Sequence, residues 1–167
     1  MASKAAGGIE IKWWQLLLMG AATGLLTLTL TAFSRATTGF AARDEGAMSA
    51  ALLIHLATVL PALPLGAYLL LRRKGDRLHR WLGRTWAALM VTTAISTFWL
   101  TGPNGQLSFI HIFSLVTFIS IPRAVLAIRR GDTKTHRFAV TGSFIGLLIA
   151  GAFAFTPGRL LHAWTFG

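Results

Sequence analysis

Two stretches of this chain, residues 13–33 and 138–155, contain no charged residue at all. Apolar runs of that length are what a membrane span requires, about 20 residues to cross about 30 Å of hydrocarbon. They also set how the net charge of +11 is to be understood. A basic chain of 167 residues would ordinarily point to nucleic acid. Here 54% of the residues are hydrophobic and only 13% are charged, which leaves too little polar surface to solvate a soluble globule. No nucleic-acid partner is expected, and membrane lipid is. With no cysteine in the chain, disulfides, thiolate zinc, iron–sulfur clusters and thioether-linked haem are all excluded.

The expected fold class is an all-α membrane protein with five transmembrane helices, near 13–33, 48–71, 81–101, 107–128 and 137–156. The first is too long for a signal peptide and lacks a cleavage site followed by a soluble domain. No stretch is long enough for a second domain, so residues 1–167 are expected to form a single transmembrane domain. In a five-span arrangement Lys4, Lys12 and the basic runs at 72–84 and 123–137 share one side. That side holds 13 of the 16 Lys and Arg residues, leaving Arg35, Arg43 and Arg159 opposite. The positive-inside rule then puts the N-terminus in the cytoplasm and the C-terminus outside. Trp13, Trp14, Trp81, Trp99 and Trp164 fall near span ends, where an interfacial aromatic belt would lie. Trp86 sits deeper, at a position suited to packing inside.

The two middle hairpins look alike. Ile54-His55 and Ile110-His111 stand at an offset of 56, as do Arg73-Lys74-Gly75-Asp76 and Arg129-Arg130-Gly131-Asp132. One inserted residue later, His79-Arg80-Trp81 matches His136-Arg137-Phe138. Pro61 and Pro64 have no counterparts. Spans two to five thus read as a four-helix bundle of two parallel hairpin repeats about an axis along the membrane normal, with the first span added outside.

This repeat pairs four histidines at two depths. His55 and His111 lie near the outer ends of spans two and four; His79 and His136 begin spans three and five at the cytoplasmic side. Bis-histidine haem ligation requires two neutral imidazoles on separate elements facing a shared gap. The helix from His55 to Leu71 rises about 24 Å, which would set two irons on the order of 20 Å apart. The ordinary alternatives are interfacial residues for His79 and His136 and helix–helix hydrogen bonding for His55 and His111. His162 has no mate and reads as a surface residue. Arg80, Arg84, Lys134 and Arg137 are placed to neutralise propionates of an inner haem, and Arg35 or Arg43 those of an outer one, although topology is their default role. Small residues at Ala57, Ala62, Gly142 and Gly146 would let a porphyrin or a helix approach closely. Asp76 and Asp132 stand where they would cap spans three and five.

Histidines on four successive spans, with the second paired to the fourth and the third to the fifth, resemble the cytochrome b561 superfamily of transmembrane dihaem oxidoreductases. The likeness is architectural and covers roughly residues 48–156. It implies two b-type haems, held by His55, His111, His79 and His136, and electron transfer across the membrane; as an electron carrier the chain would have a quinone or a redox protein as partner. The string from Leu70 to Arg84, with its HRxxGR element at His79-Arg80-Trp81-Leu82-Gly83-Arg84, also resembles a family of small bacterial predicted membrane proteins of unknown function, implying the bacterial inner membrane. The loops hold no recognisable ascorbate- or metal-chelate-binding motif.

The leading expectation is therefore a b-type dihaem cytochrome, with membrane oxidoreductase activity left open. The alternative is a haem-free accessory or assembly subunit of a larger membrane complex, which the short loops also suit. A transporter is weaker, because all five acidic residues lie outside the spans. A hydrolase is weaker still: Ser114 and Ser120 near His111 have no acid to orient the base.

Overall fold

A computed structural model describes residues 11–38, 49–100 and 107–166. They form six α-helices: α1 (Trp13–Thr38), α2 (Ala50–Leu71), α3 (Arg77–Ser96), α4 (His111–Arg129), α5 (Thr133–Phe153) and the short α6 (Leu160–Phe166). A single 3-10 turn, Thr97–Trp99, continues α3. Helix is the expected solution for such a sequence, because in hydrocarbon every backbone polar group has to be satisfied within its own segment. Pro61 and Pro64 in α2 and Pro122 in α4 are accommodated inside the helices.

The starts of three helices are written in side chains. Ser49 accepts from the Leu52 N–H at 3.2 Å, Asp76 from the His79 N–H at 2.6 Å, and Asp132 from the Thr135 N–H at 3.0 Å. The residue before each aspartate is a glycine with positive φ, 87° at Gly75 and 77° at Gly131, a conformation that costs glycine alone nothing. The α2–α3 and α4–α5 connections thus share a glycine–aspartate step, but α2 ends at Leu71 with Arg72 extended whereas α4 runs on to Arg129, so the first connection is the longer.

Four helices are long and apolar enough to cross a membrane: α1, α2, α4 and α5. The third expected span is where expectation and structure differ most. α3 starts at Arg77, four residues before the apolar stretch, and carries Arg77, Arg80 and Arg84 in its first turns, so by composition it does not join the other four. The chain is an all-α membrane protein in either case.

α2, α3, α4 and α5 surround a common core, each packed along its two neighbours, while α2 and α4, and likewise α3 and α5, face each other diagonally with their backbones held apart. α1 lies over α2 and α5, outside this ring, and α6 packs on α1. The core holds Ala62, Leu63, Trp86, Met90, Ile121, Phe144 and Leu147. At its centre the Trp86 and Phe144 rings sit 6.5 Å apart, and the Trp86 Nε1–H donates to the Ala62 carbonyl at 3.1 Å. Gly66 is what lets them fit, since a Cβ there would stand 2.5 Å from Phe144.

The two ends differ in charge. At the basic end, Gln15 ties the start of α1 to the end of α2 by donating to the Leu70 carbonyl at 2.6 Å. Lys74 and Arg137 come near enough there for the second charge, after burial, to push the first lysine's pKa down. At the far end, Arg35 Nε donates to the Trp164 carbonyl at 3.1 Å and Arg159 to the Ser108 hydroxyl; Arg43 and Lys4 lie outside the described residues. Trp13, Trp81 and Trp99 are exposed near helix ends, as belt residues are. Trp164 is not one of them: it is 2% exposed, packed with Ala32, Leu52 and Leu56, because α6 folds back onto α1.

Candidate functional site

At the far end, His55 stands in the second turn of α2 and His111 is the first residue of α4. His55 Nδ1 lies 3.0 Å from the Ser96 hydroxyl, which itself donates to the Thr93 carbonyl at 2.7 Å. With its hydrogen spent on that carbonyl, Ser96 accepts from His55, so Nδ1 carries the proton and Nε2 of the neutral ring is a free lone pair. Thr93 donates on to Thr58 at 2.8 Å, and this chain of hydroxyls stitches α2 to α3.

His111 is 4% exposed and engaged at both nitrogens. Nε2 lies 2.9 Å from the Thr97 carbonyl, to which it donates. Nδ1 lies 3.0 Å from the Ser108 N–H and 2.9 Å from the Ser108 carbonyl. It can therefore accept from the one or, in the other tautomer, donate to the other. Phe98 covers the ring at 5.9 Å, and Thr97 and Ser114 share a hydrogen bond of 2.6 Å. The two diagonal histidines thus converge on one turn, Ser96-Thr97, from opposite sides.

The basic end carries His79 in the first turn of α3 and His136 in the first turn of α5, both half-buried. His136 Nδ1 donates to the Ala124 carbonyl at 3.0 Å; a carbonyl only accepts, so here too Nε2 is left as a lone pair. His79 is held through its backbone by Asp76, and its Nδ1 is buried without a hydrogen-bond partner. Between the two levels the core is closed by Gly66, Trp86 and Phe144.

A histidine that ligates a metal commonly donates its other N–H to a carbonyl or hydroxyl, which fixes its tautomer. His55 and His136 have that arrangement, and the buried Nδ1 of His79 has no hydrogen-bond partner. Each of these three keeps a ring nitrogen without a hydrogen-bond partner, as a haem ligand would need, whereas His111 keeps none while its Nε2 donates to the Thr97 carbonyl. Among the described residues no group of three or more His, Cys, Asp or Glu side chains gathers as a metal cluster.

Of the arginines assigned to an inner haem, Arg80 and Arg137 are both exposed, and Arg80 turns back to the Gly75 carbonyl at 3.1 Å. The more buried cation is Arg72, which sequence reasoning leaves among the topology signals. It donates to the Tyr68 hydroxyl at 2.6 Å and pairs with Asp76, and its Nε is buried without a partner. Tyr68 stands one turn before Arg72 at the end of α2; the chain then leaves the helix at Arg72 and turns back to bring Asp76 onto the guanidinium. Asp76 is held below the usual carboxylate range, first by Arg72 and then by the His79 N–H. The hydroxyl network of Thr58, Thr93, Ser96, Thr97 and Ser114 also escapes sequence reasoning, since threonine and serine inside apolar runs carry no distinctive pattern. Of the small residues singled out, Ala62 is fully buried while Ala57 and Gly142 face outward.

A family model described as Predicted membrane protein (DUF2306) matches residues 52–163. The match runs from the start of α2 into α6, so it includes all four paired histidines and leaves α1 outside. No curated protein and no solved structure matches the chain. The matched stretch is well over half of its length, and the chain belongs to this family of predicted membrane proteins.

Proposed function

We propose that the chain crosses the bacterial inner membrane five times, N-terminus in the cytoplasm, and works as a b-type dihaem cytochrome. In this reading His55 and His111 hold one haem near the outer face and His79 and His136 hold another near the cytoplasmic face. The hairpins α2–α3 and α4–α5 are its two repeats, and α3 is its third span. Its first turns, with Arg77, Arg80 and Arg84, sit at the lipid headgroups, where long cationic side chains reach water.

The observation that carries the reading is the placement of the histidines. Each pair stands on helices that face each other diagonally across one core, and three of the four rings keep a nitrogen without a hydrogen bond. Polar rings inside a membrane bundle mark function by default. A bound haem supplies a one-electron iron couple. The protein's part is to fix ring orientation through Ser96 and the Ala124 carbonyl, and to keep the centre dry with Trp86 and Phe144. Arg72 presents positive charge beside the cytoplasmic pair. The electron partners consistent with this are a membrane quinol or a redox protein.

A haem-free accessory subunit is the second reading, and one observation favours it: His111 is already satisfied at both nitrogens by Ser108 and Thr97, as a purely structural histidine would be. Haem content separates the two. The purified chain is expected to carry two haems per polypeptide, falling to one in His55→Ala and one in His79→Ala. A haem-free protein recovered with a stoichiometric partner complex would support the accessory role instead.

A further inference from the structure

The two histidine pairs are not equally prepared to bind. At the basic end, the His136 ring is oriented by a hydrogen bond that leaves Nε2 open, and the His79 ring has nothing to give up. Both rings are half-buried, in the first turns of their helices. At the far end, His55 is open in the same sense as His136, but His111 is not. Its ring is 4% exposed, packed under Phe98, and its Nε2–H is donated to the Thr97 carbonyl.

We propose that the cytoplasmic pair, His79 and His136, is a preformed bis-imidazole site that takes a haem first, and that the outer pair fills only after His111 releases Thr97. The inference rests on the haem reading given above and concerns how the two sites differ. For His111 to become a ligand, the proton on Nε2 leaves and one is taken up at Nδ1. The ring keeps its net charge and now donates to the Ser108 carbonyl, 2.9 Å away. Two hydrogen bonds are lost, from Nε2 to Thr97 and from the Ser108 N–H to Nδ1, and one is gained, from Nδ1 to the Ser108 carbonyl. Thr97 remains satisfied, because its carbonyl also accepts from the Leu100 N–H at 2.9 Å, while the Ser108 N–H gives up its acceptor on the ring, so the net cost is one bond plus the opening of a packed ring. A net hydrogen bond of that kind corresponds to about a tenfold difference in affinity.

The test is a haemin titration of the full chain, produced in a haem-deficient host and purified in detergent, followed by Soret absorbance. Two phases are expected, each of one haem per chain, separated about tenfold or more in affinity. The tight phase should vanish in His79→Ala and in His136→Ala and persist in His111→Ala. His111→Gln, whose amide can still donate to Thr97, serves if the alanine variant does not fold. Two phases of equal affinity, or a tight phase lost in the His111 variants and kept in the His79 variant, would overturn the order while leaving the haem reading intact. A chain that takes up no haem at all would overturn both.

Discussion

A methyl group at Gly66 has no free space. The added Cβ would meet Phe144 ring carbons at 2.5 and 2.6 Å and Trp86 Nε1 at 2.7 Å, and neither ring can step aside in a core they both fill. Gly66→Ala is therefore expected to destabilise the bundle by about 1–3 kcal/mol, the usual range for overpacking. It would be seen as a lower thermal midpoint in detergent. Gly142 provides the control: nothing lies within 4 Å of the place its added methyl would take, so Gly142→Ala should be neutral or slightly stabilising, as removing a helical glycine usually is. Equal effects at the two sites would argue against a closed centre between the histidine levels. Sequence alone favours Gly142 as a close-approach residue and passes over Gly66, because small residues inside an apolar run do not declare which face they occupy.

Helix starts in this chain are set by capping, and membrane entry by hydropathy, and the two do not coincide. The expected third and fifth spans begin at 81 and 137, where the apolar stretches begin. The helices begin at Arg77 and Thr133, four residues earlier in each case, because Asp76 and Asp132 cap them there. The caps are legible as aspartates after glycines; their consequence for the boundaries is not, since arginines in a first turn look like loop. The same caps explain the inserted residue between the hairpins. His79 is the third residue of its helix and His136 the fourth, so relative to their caps they differ by about 100° around the helix. That rotation goes with their different partners: one ring is unpaired and the other reaches the Ala124 carbonyl. Both capping carboxyls are held below the ordinary range, Asp76 chiefly by Arg72 and Asp132 chiefly by Thr135. A depressed native pKa adds stability that is complete above the unfolded value, about 3.9, and is lost as pH falls through the lower folded value. Asp76→Ala should thus lower the thermal midpoint at pH 7, and the gap to the unsubstituted protein should close as the pH drops below about 4. A gap that stayed constant with pH would mean that the carboxylate charge contributes nothing to the cap.

For the whole molecule, the charge asymmetry that dominates the composition becomes a property of two ends. Lys12 and the two basic connections gather at one, while Arg35 and Arg159 are held by Trp164 and Ser108 at the other. With five spans and the positive-inside rule, a reporter that functions only in the cytoplasm should work when fused to the N-terminus and fail at the C-terminus. Activity at both termini would require an even number of spans and would remove α3 from the membrane. The same end-to-end arrangement sets His79 and His136 against His55 and His111, with a packed aromatic centre between them, and makes transmembrane electron transfer a chemical proposal with named ligands. The most direct test is a dithionite-reduced minus oxidised absorption spectrum of the chain purified from haem-replete cells. A bis-histidine b-type cytochrome gives a sharp α-band on reduction, weakened by about half when His55 or His79 is replaced by alanine. A purified, folded protein with no α-band in either state would contradict it.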